Sequence, residues 1–251
     1  MNRDFDYKEY VNDDSFLKEY HKYQEKHLNE IRESDKVIIQ KLSNYLSKKN
    51  QYEPKILDIG CSTGNLLFHL KNSIPSAVFV GGDMASSSIE QCKKNTALQD
   101  IEFEVMDILS LPDEAYDVIV VNAVLYMFDQ DQYRKALYSI QRSLKPGGIT
   151  IVFDFAHPFA HQDITINETS VLHPNGLRLC FRPMKKIKSF ALSAGFESID
   201  FIPFDLPIDL PKPSFDEEVV TYTVKSEDLK RMMFRGILYQ PWCHMIITKA
   251  S

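Results

Sequence analysis

Cysteine, tryptophan and glycine are all sparse in this chain of 251 residues, which holds four, one and nine of them. Cys61, Cys92, Cys180 and Cys243 lie far apart, with no CxxC pair and no histidine at ligand spacing. They offer neither a disulfide framework nor a zinc site, and a reducing cytoplasm is the expected compartment. No apolar run approaches the length of a membrane span, and the opening Met-Asn-Arg-Asp-Phe-Asp has no signal-peptide core. A soluble cytoplasmic protein with no membrane partner is therefore expected. Positive charge is also short, with 29 Lys and Arg against 35 Asp and Glu. The formal net charge of −6 argues against a general nucleic-acid binder. What remains is ordinary for a globular fold: 44% hydrophobic and 25% charged residues, in a length that suits one domain with or without a cap.

Residues 1–13 are polar and acidic and read as a mobile arm. From Ser15 to Lys48 apolar residues recur at helical spacing, which predicts two helices broken near Arg32-Glu33-Ser34-Asp35. Apolar strands and helical stretches then alternate. Strands are predicted at 55–59, 77–82, 102–106 and 116–122, and in "ITIVFDF" after a "KPGG" turn at 145–148. Helices are predicted at 65–72, 86–97 and 130–144, the last with Asp129 and Gln132 as a capping-box pair. Near-continuous apolar strands alternating with helices indicate a parallel sheet covered on both faces. Beyond it, "TSVLHPNGLRLCF" reads as a hairpin turning at Asn175-Gly176, "MKKIKSFALSAGF" as a helix, "ESIDFIPF" as a strand, "SEDLKRMMF" as helical and "CHMIITK" as a closing strand.

In an open parallel sheet, ligands bind beyond the carboxyl ends of the strands, where strand order reverses. The residues ending the strands are therefore informative: Asp58-Ile59-Gly60, Asp83, Asp107, Asn122, and Asp154 to His157. In "KILDIGCSTGNLL", Gly60 and Gly64 let backbone approach a ligand beside a helix start, with Ser62 between them. The spacing Asp58-x-Gly60-x-x-x-Gly64 departs from the G-x-G-x-x-G of nicotinamide enzymes. Plainer roles exist for each acid: Asp58 as a loop cap, Asp83 as a helix cap, Asp107 as a loop residue.

These motifs resemble, in order, those of the class I S-adenosylmethionine (SAM) methyltransferases over residues 53–155. "DIGCSTG" is similar to their motif I with Ser62 in the middle, and Asp83 to the acid that takes two ribose hydroxyls. Met84 matches the apolar neighbour of the adenine, and Asp107-Ile108 the pair at its amine and ring. "YDVIVVNAVLYMF", with Asn122, matches the fourth motif, and "LKPGG" the turn before strand five. The resemblance implies an α/β, Rossmann-like, seven-stranded and mostly parallel sheet with helices on both faces. It also implies SAM as cofactor, an N-terminal helical lid over 1–50, a SAM-binding domain over 51–251, and a β-hairpin insertion at 156–182 that builds the acceptor site. By the same resemblance Tyr23 closes over the sulfonium and Arg32 meets the methionine carboxylate.

Methyl transfer from a sulfonium needs binding and orientation, with a base only for a poorly acidic hydroxyl. His157, beyond strand five and held before Pro158, is the candidate base; Tyr126 faces either core or substrate and is a second catalytic candidate. Residues 156–195 carry Arg178, Arg182, Lys185, Lys186 and Lys188 against Asp163 and Glu168. This points to an anionic small-molecule acceptor bound by Arg178 and Arg182. The insertion resembles that of bacterial methyltransferases acting on surface-polysaccharide precursors, which implies that acceptor class. Two other readings are a SAM-binding regulatory subunit without catalysis and a nicotinamide-dependent oxidoreductase. No metal is expected.

Overall fold

Lys55–Ile59 (β1) is buried on both faces beyond its first residue, which is the signature of a central strand in a covered parallel sheet. Val78–Asp83 (β2) lies parallel to it on one side and Tyr116–Asn122 (β4) on the other, while Glu102–Val105 (β3) pairs parallel with β2. Leu144–His157 (β5) continues the parallel set beyond β4. Trp242–Thr248 (β12) then runs antiparallel between β5 and Ser198–Pro203 (β8). The main path of the sheet is β3-β2-β1-β4-β5-β12-β8, mostly parallel as expected, but the whole sheet holds nine strands rather than seven, because two more attach beside β5. The computed structural model describes residues 5–25, 28, 30–49, 53–170, 173–214 and 219–251, with the side chains of 14, 15, 23 and 25 outside that description.

Alternation along each strand sends side chains to two cores. Val118 and Val120 of β4 join Ile56 and Ile151 beneath Glu33–Lys49 (α3) and Asn65–Ser73 (α4), through Ile38, Leu42, Leu67 and Leu70. Ile119 and Val121 face the other way, toward Gln130–Ser143 (α6) and Met184–Ser193 (α7), through Leu137, Ile140, Ile187 and Ala191. Ser86–Lys94 (α5) follows β2. The capping box of α6 is complete: Gln132 N donates to Asp129 Oδ1 at 2.8 Å and Asp129 N to Gln132 Oε1 at 3.0 Å.

Three expectations are corrected. Residues 7–11 form a helix (α1, Tyr7–Val11) capped by Asp6, and Tyr7 is buried edge-on against Phe128 with ring centroids 4.9 Å apart. The described part of the N-terminal arm is thus docked. The "KPGG" stretch is part of β5, as a register break between Tyr116↔Leu144 and Val118↔Ile149 rather than a turn before the strand. The segment read as helical at 226–234 is instead a turn and a strand. Thr221–Lys225 (β9), Arg231–Arg235 (β10) and Leu238–Tyr239 (β11) form a three-stranded antiparallel sheet. Leu229 takes φ 63° in the tight turn, and Phe234 stacks on Tyr222 across the strands.

The expected hairpin is present as Ile164–Glu168 (β6) and Leu177–Pro183 (β7), paired antiparallel from Ile164↔Phe181 to Glu168↔Leu177. The end of β7 adds parallel to β5 at Ala156↔Arg182. Asp14–Glu25 (α2) and α1 lie between this hairpin and the strand ends, with Tyr10 and Phe16 against His173.

Candidate active site

Strand order reverses between β1 and β4, so the crevice beyond their carboxyl ends is the place for a ligand. Two non-glycine residues are held there in the left-handed region, Ser62 at φ 49° and Ala123 at φ 58°. Such strain collects where surrounding structure holds a working site in place. Gly60, at φ 82°, donates its N–H to Gly82 O at 2.7 Å, and a Cβ on it would sit 2.4 Å from Val124 Cγ2. A Cβ on Gly64 would sit 2.7 Å from Leu98 Cδ1. Both glycines are thus required by the packing of neighbouring side chains against the loop.

The carboxylates stand in a row along the sheet edge. Asp107, beyond β3, accepts from Leu109 N at 2.9 Å and from Tyr7 Oη at 3.5 Å, and lies 3.4 Å from Lys8 Nζ. Ile108 beside it is buried, and Met84 is half-buried against the same core. Asp83, ending β2, accepts from Ser62 N at 2.8 Å and Ala85 N at 2.9 Å, so it ties two loops together. Burial raises its proton affinity and those two amides oppose the rise. Asp58 is 2% exposed; its backbone pairs within the sheet, while its carboxylate makes no hydrogen bond among the described residues. Burial, then the charges of Asp35 and Asp83, push its carboxyl up to about 8. Asn122, ending β4, donates Nδ2 to Asp35 Oδ1 at 3.0 Å.

The helices covering this row bring residues that sequence reasoning missed. Asp35, in the first turn of α3, is 2% exposed, and burial raises its proton affinity against the lowering effect of Arg32. Tyr20 of α2 stacks on Phe16 at 5.3 Å, and its hydroxyl has Arg32, Gln24, Asp83 and Ser62 as its polar neighbours. Arg32 donates to Gln24 Oε1, Asn65 Nδ2 to Gln24 O at 2.8 Å, and His21 Nε2 lies 2.9 Å from Ser88 Oγ of α5. Tyr23 falls in α2, but its side chain lies outside the described residues. The aromatic described over motif I is Tyr20, one helical turn earlier, and only the placement of α2 on the sheet distinguishes the two positions.

On the hairpin side, half-buried Tyr126 receives a backbone anchor, its N–H donating to Asp154 Oδ2 at 2.9 Å. Its ring lies 5.4 Å from Phe155 and 6.3 Å from Trp242. Tyr10 Oη is 3.3 Å from His173 Nδ1, and Arg235 forms a two-oxygen ion pair with Glu168 nearby. Burial, aided by Arg235, lowers the proton affinity of His173.

Three expected acceptor-side residues do not gather there. Arg182 is 4% exposed, donates to Phe128 O and lies 4.5 Å from the Tyr133 ring centroid. Arg178 donates Nε to Met127 O at 2.8 Å and Nη2 to Gln132 Oε1 at 2.7 Å. Both guanidiniums brace the turn between β4 and α6, because β7 presents them inward. His157, 5% exposed, sits at the β5–β7 junction with Nε2 3.3 Å from Phe181 O and Nδ1 sealed without a partner. Among the described residues no group of His, Cys, Asp or Glu is arranged to hold a metal ion, and no helix is long and apolar enough to cross a membrane.

The row suits a nucleoside bearing an amino-acid tail. Acceptors for an amine and a diol follow one another along the edge, flanked by Met84 and Ile108. The buried Ser62 Oγ, unpartnered among the described residues, lies on the loop after β1, beside Asp83. A methyltransferase-domain family model matches residues 50–187, more than half of the chain. The chain belongs to this family and has the architecture of its class I SAM-dependent members. It is 24% identical over 172 residues to the ubiquinone/menaquinone biosynthesis C-methyltransferase UbiE of Desulfotalea psychrophila, covering 61% of this chain and 69% of that protein. It is 26% identical over 160 residues to the tRNA N(3)-cytidine methyltransferase METTL2 of Bos taurus, covering 58% of this chain but only 42% of that protein. Among solved structures, a SAM-dependent methyltransferase of Methanosarcina mazei shares the fold at a TM-score of 0.59 and 18% identity, covering 83% of this chain and 96% of that one.

Proposed function

We propose that this enzyme transfers the methyl group of SAM to a small-molecule acceptor seated between the α1–α2 cover and the β6–β7 hairpin. The observation that carries the reading is the order of polar ends along one sheet edge: Asp107 on β3, Asp83 on β2, Asp58 on β1 and Asn122 on β4. SAM, when bound, supplies a methyl group already activated on a sulfonium. Asp107 would accept from the adenine amine, with Ile108 and Met84 at its ring. Asp83 would accept from the ribose hydroxyls, beside the Gly60–Gly64 loop. Arg32, tied to Gln24, would meet the carboxylate of the tail. Residues 1–50 act as a lid in this reading, excluding water as they close.

The acceptor side is aromatic and charge-balanced rather than cationic. Tyr10, Tyr20, Tyr126 and His173 supply rings and hydroxyls, while Arg235 is neutralised by Glu168. An anionic acceptor would find Arg178 and Arg182 already committed to carbonyl and amide oxygens. A neutral or weakly polar acceptor with a hydroxyl or ring fits better, and surface-polysaccharide precursors have no specific support in these side chains. His173 is the better-placed proton acceptor: it is held neutral near pH 7 and lies beside Tyr10, whereas His157 is sealed beneath the hairpin.

The net charge of −6 favours a small molecule over a tRNA acceptor. Incubation with methyl-labelled SAM and separate metabolite and RNA fractions, followed by identification of the labelled product, tests this. A labelled metabolite supports the reading, and label confined to RNA overturns its acceptor class. Tight SAM binding with no transfer to any fraction would indicate the non-catalytic subunit.

A further inference from the structure

A second concave region lies toward the β8 edge of the sheet, between that strand's end and the first turns of α3. The cavity measures about 620 Å³, the size of a small-molecule site, and none of Asp58, Asp83, Asp107 or Asn122 lines it. Its apolar walls are Val37 of α3, Ile202 of β8, and Phe204 and Pro207 just beyond that strand. Phe204 is fixed by its N–H, which donates to Trp242 O at 2.9 Å. The acids beside these walls already have partners: Glu33 accepts from Lys36 Nζ at 2.6 Å, and Asp205 from Arg231 N at 3.0 Å. A charged ligand would find no free counter-charge among these groups, and an uncharged one needs none.

His244 of β12 forms part of the same wall and is fully buried. Its ring centroid lies 4.5 Å from that of Phe153 and 5.4 Å from that of Phe204, which it meets edge-on. Nε2 is 3.1 Å from Ser34 O, and a carbonyl oxygen only accepts, so Nε2 carries the ring proton. Burial pushes the imidazole pKa down to about 4 against the raising effect of that bond, so the ring is neutral near pH 7. Nδ1 is then a bare acceptor, and among the described residues it has no hydrogen-bond partner. A buried polar atom left in that state is costly and calls for a cause. The bond to Ser34 accounts for Nε2 alone, and packing between Phe153 and Phe204 would be served by phenylalanine, which strands no nitrogen. We propose that this cavity is a second ligand site, taking an uncharged planar heterocycle whose N–H donates to His244 Nδ1 while its ring packs on Phe204. The site does not depend on the cofactor reading.

Nitrogen-15 spectra of histidine-labelled protein test this without any turnover, with indole as the probe and 1-methylindole as its match lacking the donor. Indole should move the Nδ1 resonance of His244 toward that of a hydrogen-bonded nitrogen, and 1-methylindole should leave it in place. Calorimetry should find indole bound about tenfold more tightly than 1-methylindole, the size of one hydrogen bond to a buried acceptor. His244→Phe, which identifies the resonance by its loss, should bind the two compounds alike. Absence of indole binding, equal binding of both compounds by the wild-type protein, or shifts confined to other histidines would overturn the site. So would a preference for indole that persists in His244→Phe, because the donor would then meet another group. If that variant fails to fold, the wild-type spectra decide alone, and an unmoved Nδ1 overturns the proposal.

Discussion

Asn122, the last residue of β4, donates its side-chain amide to Asp35 of α3 across 3.0 Å. That bond joins the end of the central sheet to α3, the last helix of the proposed lid. An amide–carboxylate bond with the acceptor buried contributes about 1.5–3 kcal/mol. Asn122→Ala should therefore loosen α2 and the start of α3 while the sheet stays intact. The expected result is faster amide hydrogen exchange over 14–40, with exchange in β1, β4 and β5 unchanged. Uniform exchange changes throughout the chain would mean the bond serves global stability instead.

The contact between Gly60 and Val124 sets the second prediction. Alanine at 60 meets two costs, a positive φ and a methyl group 2.4 Å from Val124 Cγ2. Together these should destabilise the fold by about 2–4 kcal/mol in denaturant titration. Val124→Ala in the same chain should recover only the steric part, leaving about 1–2 kcal/mol from the backbone. Full recovery would show that the left-handed backbone at Gly60 is not needed.

Arg182 separates structure from acceptor recognition. Its guanidinium is buried, donates to Phe128 O and lies over the Tyr133 ring. Arg182→Ala should cost about 2–3 kcal/mol of stability through the lost charged hydrogen bond and the carbonyl left behind. Arg182→Lys should recover little of it, because an ammonium cannot lie flat over the ring while reaching the carbonyl. Affinity for S-adenosylhomocysteine should remain at the wild-type value in both variants at 10 °C. A stable variant that loses acceptor binding would reverse this assignment.

The two arginines also show where sequence reading stops. The strand ends were legible because buried parallel strands appear as apolar runs, and the polar residue ending each run stands out. Asp58, Asp83, Asp107 and Asn122 were found that way, and Tyr116–Asn122 was bounded as observed. Arg178 and Arg182 alternate with apolar residues on β7, but which face of that strand turns inward depends on its pairing with β5 and β6. Tyr20 and Asp35 acquire their surroundings only when α2 and α3 are laid on the sheet, and no local spacing marks them. At 226–234, a charged turn followed by alternating Met, Phe and Arg resembles a short amphipathic helix until β9 is available to pair with it.

Asp58 gives the last prediction, a pH dependence with a definite sign. Its carboxyl titrates near the ordinary 3.8 when the chain is unfolded and at about 8 when folded, because burial and the charges of Asp35 and Asp83 disfavour ionisation. Between those values the unfolded chain has released the proton while the folded chain keeps it, so stability falls as pH rises. The contribution is fully present below the unfolded value and is lost by the time pH passes the folded one. The ligand-free protein should therefore show a melting temperature that declines from about pH 5 to about pH 8 and then levels, with acid unfolding of other carboxylates confined to lower pH. Asp58→Asn cannot ionise and should reduce the slope, leaving the parts that Asp35 and Asp83, both raised by burial, contribute in the same direction. An unchanged slope in Asp58→Asn, measured by scanning fluorimetry in matched ionic strength, would show that another group titrates in this window.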